Sequence, residues 1–283
     1  MNKALIPIAG LGTRLLPATK AIPKEMIPIV NKPLIQLIVE EVIEAGFKEI
    51  IFITHSSKYS VENHFDKSFE LEATLEKRVK RSLLKEIKAL SNLKVSFQSV
   101  RQGHALGLGH AISCGQKITK KEPFAVILPD MLLKYKHGNN LKDLKLKYEE
   151  TGLSQILLAK AKKKELCNYG VVKIKRGMIE SIIEKPKVDK TPSNLFAAGR
   201  YIFTPEIFNF ISKANNSSKK EIELTDAIQK FINNDNLVQA YVMEGKYFDC
   251  GGKLGYLKAI IDFAMEDKDI GKEFRSYLNR FKI

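Results

Sequence analysis

Through the first half of this chain, short and almost unbroken apolar runs alternate with stretches in which apolar residues recur every three or four positions. The runs at 5–9, 50–54, 95–100 and 124–128 have strand length. The near-continuous apolar character of the runs at 5–9, 50–54 and 124–128 is that of strands covered on both faces. Between the first two runs, Leu34, Ile35, Ile38, Val42 and Ile43 fall at helical spacing, and Gly46 supplies a helix stop. A charged helix is predicted near 71–90 and another near 107–117. Strands separated by helices imply a parallel sheet with helices on both faces. From position 154 the pattern changes: 155–161, 170–175, 178–184, 198–203 and 238–244 read as strands, and 205–213, 223–233, 253–267 and 272–281 as helices. The fold expected is α/β, a doubly wound, mixed but mostly parallel sheet with a helical C-terminal appendage. No linker, repeat or low-complexity tract divides it, so 1–283 is expected to be one domain.

The segment from Ile8 to Ile29 interrupts this pattern where the first strand ends. Ala9, Gly10 and Gly12 are small enough for a ligand to lie against backbone N–H groups, and Arg14, Lys20 and Lys24 bring positive charge nearby. Arg14 and Lys24 suit a polyphosphate. The dinucleotide fingerprint fails because Leu15 stands where its third glycine belongs, and no Walker G-K-[ST] follows. The loop is phosphate-seeking, of a third kind.

Composition narrows the class. The 283 residues include 44% hydrophobic and 28% charged, as in ordinary globular proteins. No run approaches the roughly 20 apolar residues of a membrane span, and no secretory leader precedes the first strand, so no membrane association is expected. Cys114, Cys167 and Cys250 are odd in number and far apart, which suits a reducing cytoplasm. The five histidines form no zinc-like cluster. The net charge of +15 sits largely in runs at 77–88, 134–147 and 160–164, which lack nucleic-acid-binding signatures; attraction of anionic metabolites is expected rather than nucleic acid.

In open α/β sheets ligands bind beyond the carboxyl ends of strands, near the point where strand order reverses. Asp130 ends the run V-I-L-P-D, and Asp249 in Y-F-D-C-G-G precedes Gly251 and Gly252. Either acid reads alone as a cap or turn former. Facing a phosphate loop, the two suit Mg²⁺, which takes one or two carboxylates together with phosphate oxygens and waters. Gln102 in V-R-Q-G offers a donor and an acceptor matching the N3–H and O4 of a pyrimidine, or is an ordinary loop residue. Glu184 and Lys185 in E-K-P could meet sugar hydroxyls and a phosphate, or lie on a solvated surface; Gly170 and Gly199 offer backbone for close approach to a ring.

With G-L-G-T-R-L-L-P-A-T-K-A-I-P-K-E-M-I-P-I, T-H-S-S-K, V-R-Q-G, G-L-G-H-A, V-I-L-P-D, E-K-P, G-R-Y-I-F, E-I-E-L-T-D-A-I and D-C-G-G-K-L-G-Y, the chain resembles the bacterial UTP–glucose-1-phosphate uridylyltransferases (UDP-glucose pyrophosphorylases) along essentially its full length. The resemblance implies the nucleotide-diphospho-sugar transferase fold and the reaction of UTP with glucose 1-phosphate to UDP-glucose and pyrophosphate. It implies a nucleotide-binding half over 1–130, a sugar-binding half over 131–252 and C-terminal helices over 253–283. Ala9, Gly10, Gly12, Gln102 and Gly107 would meet the nucleotide; Arg14, Lys24 and Lys185 the phosphates; Gly170, Glu184 and Gly199 the glucose; Asp130 and Asp249 Mg²⁺. A cytoplasmic homo-oligomer, dimer or tetramer, is expected by the same resemblance. Leu106 and Gly252 stand where the family pattern has Lys and Asn, which touches fine ligand contacts. A glucose-1-phosphate thymidylyltransferase or another sugar-1-phosphate nucleotidyltransferase is the alternative within the class. The nucleophile would be a phosphate anion, so no serine, cysteine or histidine base is required, and no nucleophile-elbow motif occurs.

Overall fold

The computed structural model describes residues 1–135, 137–214 and 221–281. Lys136, inside the basic run 134–147, lies outside the described residues. Thirteen strands are found among the described residues: β1 Lys3–Pro7, β2 Pro28–Ile29, β3 Lys32–Pro33, β4 Glu49–Thr54, β5 Ser96–Arg101, β6 Phe124–Ile127, β7 Met131–Lys134, β8 Ser154–Lys160, β9 Gly170–Lys175, β10 Met178–Glu184, β11 Leu195–Phe203, β12 Val238–Val242 and β13 Lys246–Asp249. Nine form one sheet in the order β5-β4-β1-β6-β11-β8-β12-β10-β9.

The apolar runs of β1, β4 and β6 are sheet interior, as their composition requires, whereas β5 is the edge strand and buries none of its residues. Successive residues on a strand face opposite sides. Ile6, Ile50 and Phe52 enter the core on one face, whereas Leu5, Ile51 and Ile53 enter the core on the other. Helix Leu34–Glu44 covers the first face with Ile35, Ile38 and Val42 buried, and Gly46 at φ +81° ends it by donating to Ile43 O.

The chain runs outward from β1 through β4 to β5, then returns to place β6 on the other side of β1. All three pairings here are parallel, so strand order reverses between β1 and β6. The expectation of a mostly parallel sheet holds only for this half. The β6–β11, β11–β8, β11–β9, β12–β10 and β10–β9 pairs are antiparallel and only β12–β8 is parallel, giving five antiparallel against four parallel pairs in the whole sheet. The Arg176-Gly177 turn and the direct return of β11 make hairpin-like neighbours where no crossover helix intervenes. Because β11 pairs with β6, the two halves share one continuous sheet.

Other expectations change in detail. The helix predicted near 71–90 is two helices, Phe69–Lys77 and Arg81–Ser91, broken at Val79, whose φ is +53°. Neither buries a residue fully, and the like charges of Lys77, Arg78, Lys80 and Arg81 crowd the break. Helix Asn140–Thr151, not anticipated, is capped by Asn139 Oδ1, which accepts from Leu141 N at 2.9 Å and Lys142 N at 3.0 Å. The C-terminal helix Lys253–Glu266 is fastened to the body: Ala259 is buried, and the Tyr256 hydroxyl donates to Pro28 O at 2.8 Å. No helix among the described residues is long and apolar enough to cross a membrane.

Candidate active site

The loop after β1 and the turn after β6 meet at the reversal point. Between them lies a cleft of about 420 Å³, lined by Ala9, Gly10, Gly12, Lys24, Gln102, Gly107 and Asp130 among others. A second cavity of about 480 Å³ adjoins it and takes Arg14, Gly170, Glu184, Lys185, Tyr201, Glu223, Thr225 and Asp249 into its wall. Thr13, Leu108, Leu128 and Asp130 belong to both walls, so the two spaces share a boundary.

Two of these glycines, Gly12 and Gly107, are required where they stand. Gly12 has φ +68°, and a Cβ there would come within 3.2 Å of Lys24 Cβ. Gly107, at φ +94°, begins helix Leu108–Cys114 and lies so close to Ile222 that a Cβ would reach its carbonyl oxygen at 2.8 Å. Gln102 is buried, and its amide donates to Gly107 O and pairs with His110 Nδ1, both at 3.1 Å. Both amide hydrogens are thereby spent within the protein, leaving Oε1 as the carboxamide's group for a ligand.

The two acids are brought together by a short ribbon that periodicity did not reveal. Antiparallel β7 and β13 put Asp249 opposite Met131, the residue after Asp130, and Cys250 N donates to Asp130 O at 2.8 Å. Lys24 Nζ donates to Asp130 Oδ2 at 2.7 Å. Arg14 bridges the pair, with Nη2 at 3.7 Å from Asp130 Oδ2 and Nη1 at 3.5 Å from Asp249 Oδ2. Neither acid caps a long helix. Asp249 Oδ1 does accept from Gly251 N at 3.0 Å, a turn role alongside any other.

Electrostatics separate the acids. Burial opposes the charge of Asp130, but Lys24 and Arg14 outweigh it and hold the carboxyl below its usual range. Asp249 is pushed up by burial and by the charge of Asp130, with Arg14 opposing. Burial likewise opposes the charge of Lys24, yet Asp130 and Glu25 keep its ammonium protonated above the ordinary lysine range.

A Cβ on Gly251 would stand 3.0 Å from both Asp130 Oδ2 and Asp249 Oδ1 and would collide with Arg14 Nη2. Carboxylates and guanidinium therefore converge on a space that only glycine leaves open. Two carboxylates with room for further oxygen ligands form a donor set of the kind Mg²⁺ takes. No group of three potential ligands occurs among the described residues, so remaining positions would fall to phosphate oxygens and water.

In the second cavity Glu184 Oε2 accepts from the Thr225 hydroxyl at 3.1 Å, and Lys185 Nζ lies 3.2 Å from Glu184 Oε1. Lys185 adopts φ +43°, an uncommon conformation for a residue with a side chain. A Cβ at Gly170 would meet Thr225 at 2.8 Å. Gly199, at φ +72°, is placed differently: it sits in the irregular stretch of β11 against Leu128 and Met131, while Ala197 and Tyr201 on either side line the cavity. Glu223 and Thr225 escaped residue-by-residue reading although E-I-E-L-T contains both. Burial and the proximity of Glu184 push the Glu223 carboxyl up.

Known proteins similar to this chain are uridylyltransferases by name. A UTP–glucose-1-phosphate uridylyltransferase of Haemophilus influenzae is 46% identical over 288 residues, spanning 98% of this chain and 97% of its own. The Escherichia coli K12 protein of the same name is 47% identical over 290 residues, spanning 98% and 95% respectively. A solved UTP-bound UGPase from Acinetobacter baumannii matches with a TM-score of 0.92 at 41% identity, covering 100% of both chains. The nucleotidyl transferase family model matches residues 3–268, and the chain belongs to that family.

Proposed function

We propose that this chain transfers the uridylyl group of UTP to α-D-glucose 1-phosphate, giving UDP-glucose and pyrophosphate. The observation that carries the reading is the convergence of Arg14, Lys24, Asp130 and Asp249 where the two cavities share a wall. The names of the relatives support uridylyl and glucosyl specificity over the thymidylyl alternative.

UTP occupies the first cleft, with Ala9, Gly10 and Gly107 bounding the nucleoside and the Gln102 Oε1 accepting the uracil N3–H. Glucose 1-phosphate occupies the second, its hydroxyls facing Glu184, Gly170 and the strand that Gly199 allows to bend, and its phosphate facing Lys185. The 1–130 half supplies most of the wall of the first cleft and the 131–252 half most of the wall of the second, with Arg14 reaching into the latter, and helix Lys253–Glu266 braces the Asp249 side.

A phosphate oxygen of the sugar attacks the α-phosphorus of UTP in line; the new P–O bond forms as the bond to the β-phosphate oxygen breaks, and pyrophosphate leaves with the electron pair. The nucleophile is already anionic, so no proton need be removed. The barrier lies in bringing two anions together and in charge gathering on the leaving group. Arg14 and Lys24 hold the triphosphate and stabilise departing pyrophosphate, and Lys185 holds the incoming phosphate, all by preorganised charge. Asp130 and Asp249 would hold Mg²⁺, which when bound supplies further neutralisation of phosphate charge.

The test incubates purified protein with Mg²⁺, glucose 1-phosphate and each of UTP, dTTP, ATP, CTP and GTP, following pyrophosphate release. Release with UTP in clear excess over dTTP is expected. Preference for dTTP, or no release with any nucleotide, contradicts the proposal.

A further inference from the structure

Two carbonyls of the loop after β1 are held from behind. The buried Lys58 ammonium donates to Gly10 O at 2.8 Å, and the Thr19 hydroxyl donates at 2.8 Å to Gly12 O, which also accepts from Leu15 N at 3.0 Å. The same ammonium donates at 2.8 Å to Oε2 of Glu25, which is fully buried. Lys58 follows β4, the strand beside β1, so the sheet itself sets its distance from the loop. In a trans peptide the carbonyl and the following N–H point to opposite sides. Drawing Gly10 O into the protein turns the N–H of Leu11 outward, on the side where Gly10, Leu11 and Lys24 line the nucleotide cleft. Glycine has more backbone conformations open to it than any other residue, so the chain alone would not choose this one.

The pair is poorly explained as a stabilising device. Burying two charges costs more than apolar residues of the same size would. Glu25 Oε1 is buried with no hydrogen-bond partner, and burial pushes the carboxyl up against the pull of Lys58 and Lys24. Glu25 also follows Lys24 in one turn, Lys24–Met26, so the pair ties together the glycine backbone and the segment from which Lys24 reaches Asp130.

We propose that Lys58, held by Glu25, and Thr19 are positioning residues for the nucleotide: by engaging Gly10 O and Gly12 O they present the loop's N–H groups to the phosphates of UTP. The proposal rests on the uridylyltransferase reading and adds to it residues that touch no substrate.

Calorimetric titration with UTP, thermal melting and initial-rate kinetics would be run on the wild type, Lys58→Met, Glu25→Gln, the double variant E25Q/K58M and Thr19→Val. Lys58→Met is expected to melt lower and to bind UTP about tenfold more weakly, the scale of one backbone hydrogen bond to a charged group. The double variant, free of an unpaired buried charge, is expected to recover the melting temperature while UTP binding stays weak and the KM for glucose 1-phosphate is unchanged. Glu25→Gln keeps the donor to Gly10 and is expected to melt lower with UTP affinity near that of the wild type. Thr19→Val, which disturbs no buried charge, is expected to weaken UTP binding severalfold without changing the melt. Recovery of UTP affinity together with stability in the double variant, or wild-type affinity in both Lys58→Met and Thr19→Val, overturns the proposal. Failure of the wild type to bind UTP would instead overturn the uridylyltransferase reading, and this inference with it.

Discussion

Lys24 Nζ and Asp130 Oδ2 meet at 2.7 Å although 106 positions separate them in the chain. One group stands on the loop after β1, the other at the turn after β6, so the contact spans the point of strand reversal. Replacing Lys24 by Met removes a preorganised cation from the phosphate cleft. Turnover is expected to fall by about 10²–10³, measured as pyrophosphate release at saturating substrates.

Among the glycines, Gly251 is the one where an added methyl group would crowd Arg14 and both acids together. Gly251→Ala is therefore expected to retain its fold by circular dichroism while losing at least about 10²-fold in kcat, the scale of a misplacement near 1 Å at a reacting centre. A variant with near-normal turnover would show that the space between the acids is not used.

Asp249 carries a pH signature. Its pKa lies above the ordinary 3.8, through burial and Asp130. Between the ordinary and the raised value the native state holds more protons than the unfolded chain, so this group's contribution to stability falls as pH rises through that window. A metal needs the ionised form, so affinity moves the opposite way and weakens as pH falls toward the raised pKa. Mn²⁺ titration of the protein by electron paramagnetic resonance is expected to show that weakening in the wild type and a weak, pH-independent signal in Asp249→Asn.

The Thr225 hydroxyl donates to Glu184 Oε2 at 3.1 Å in the wall of the second cavity. Thr225→Val keeps the shape and removes the hydroxyl. The KM for glucose 1-phosphate is expected to rise roughly threefold to tenfold, the range of a single hydrogen bond, with the KM for UTP unchanged. Initial-rate kinetics with each substrate varied in turn distinguish this from general damage, which would raise both.

Much of this was legible because the parallel half writes its own order. The apolar runs marked β1, β4 and β6, the glycines and cations after β1 marked the loop, and Asp130 followed from its place at a strand end. Asp249 was visible as an acid before two glycines, but not its partner: four-residue β7 and β13 are too short for periodicity to reveal, and their pairing is a long-range event. The antiparallel character of the second half was hidden for a similar reason, because a buried strand reads the same in either direction. Lys58 and Glu25 were hidden by their charge, since burial of such residues is set by tertiary partners and leaves no mark in local pattern. The dual use of the Gln102 amide depends on Gly107 and His110 lying beside it, a matter of loop closure.

The most direct measurement is the stereochemical course at the α-phosphorus. The protein would be given one diastereomer of UTP carrying sulfur at that phosphorus, with Mg²⁺ and glucose 1-phosphate, and the thio-substituted UDP-glucose product examined by ³¹P NMR. A single in-line displacement by the sugar phosphate, with Arg14 and Lys24 holding the nucleotide, inverts the configuration. Retention would require a covalent nucleophile from the protein and would contradict direct attack by the sugar phosphate.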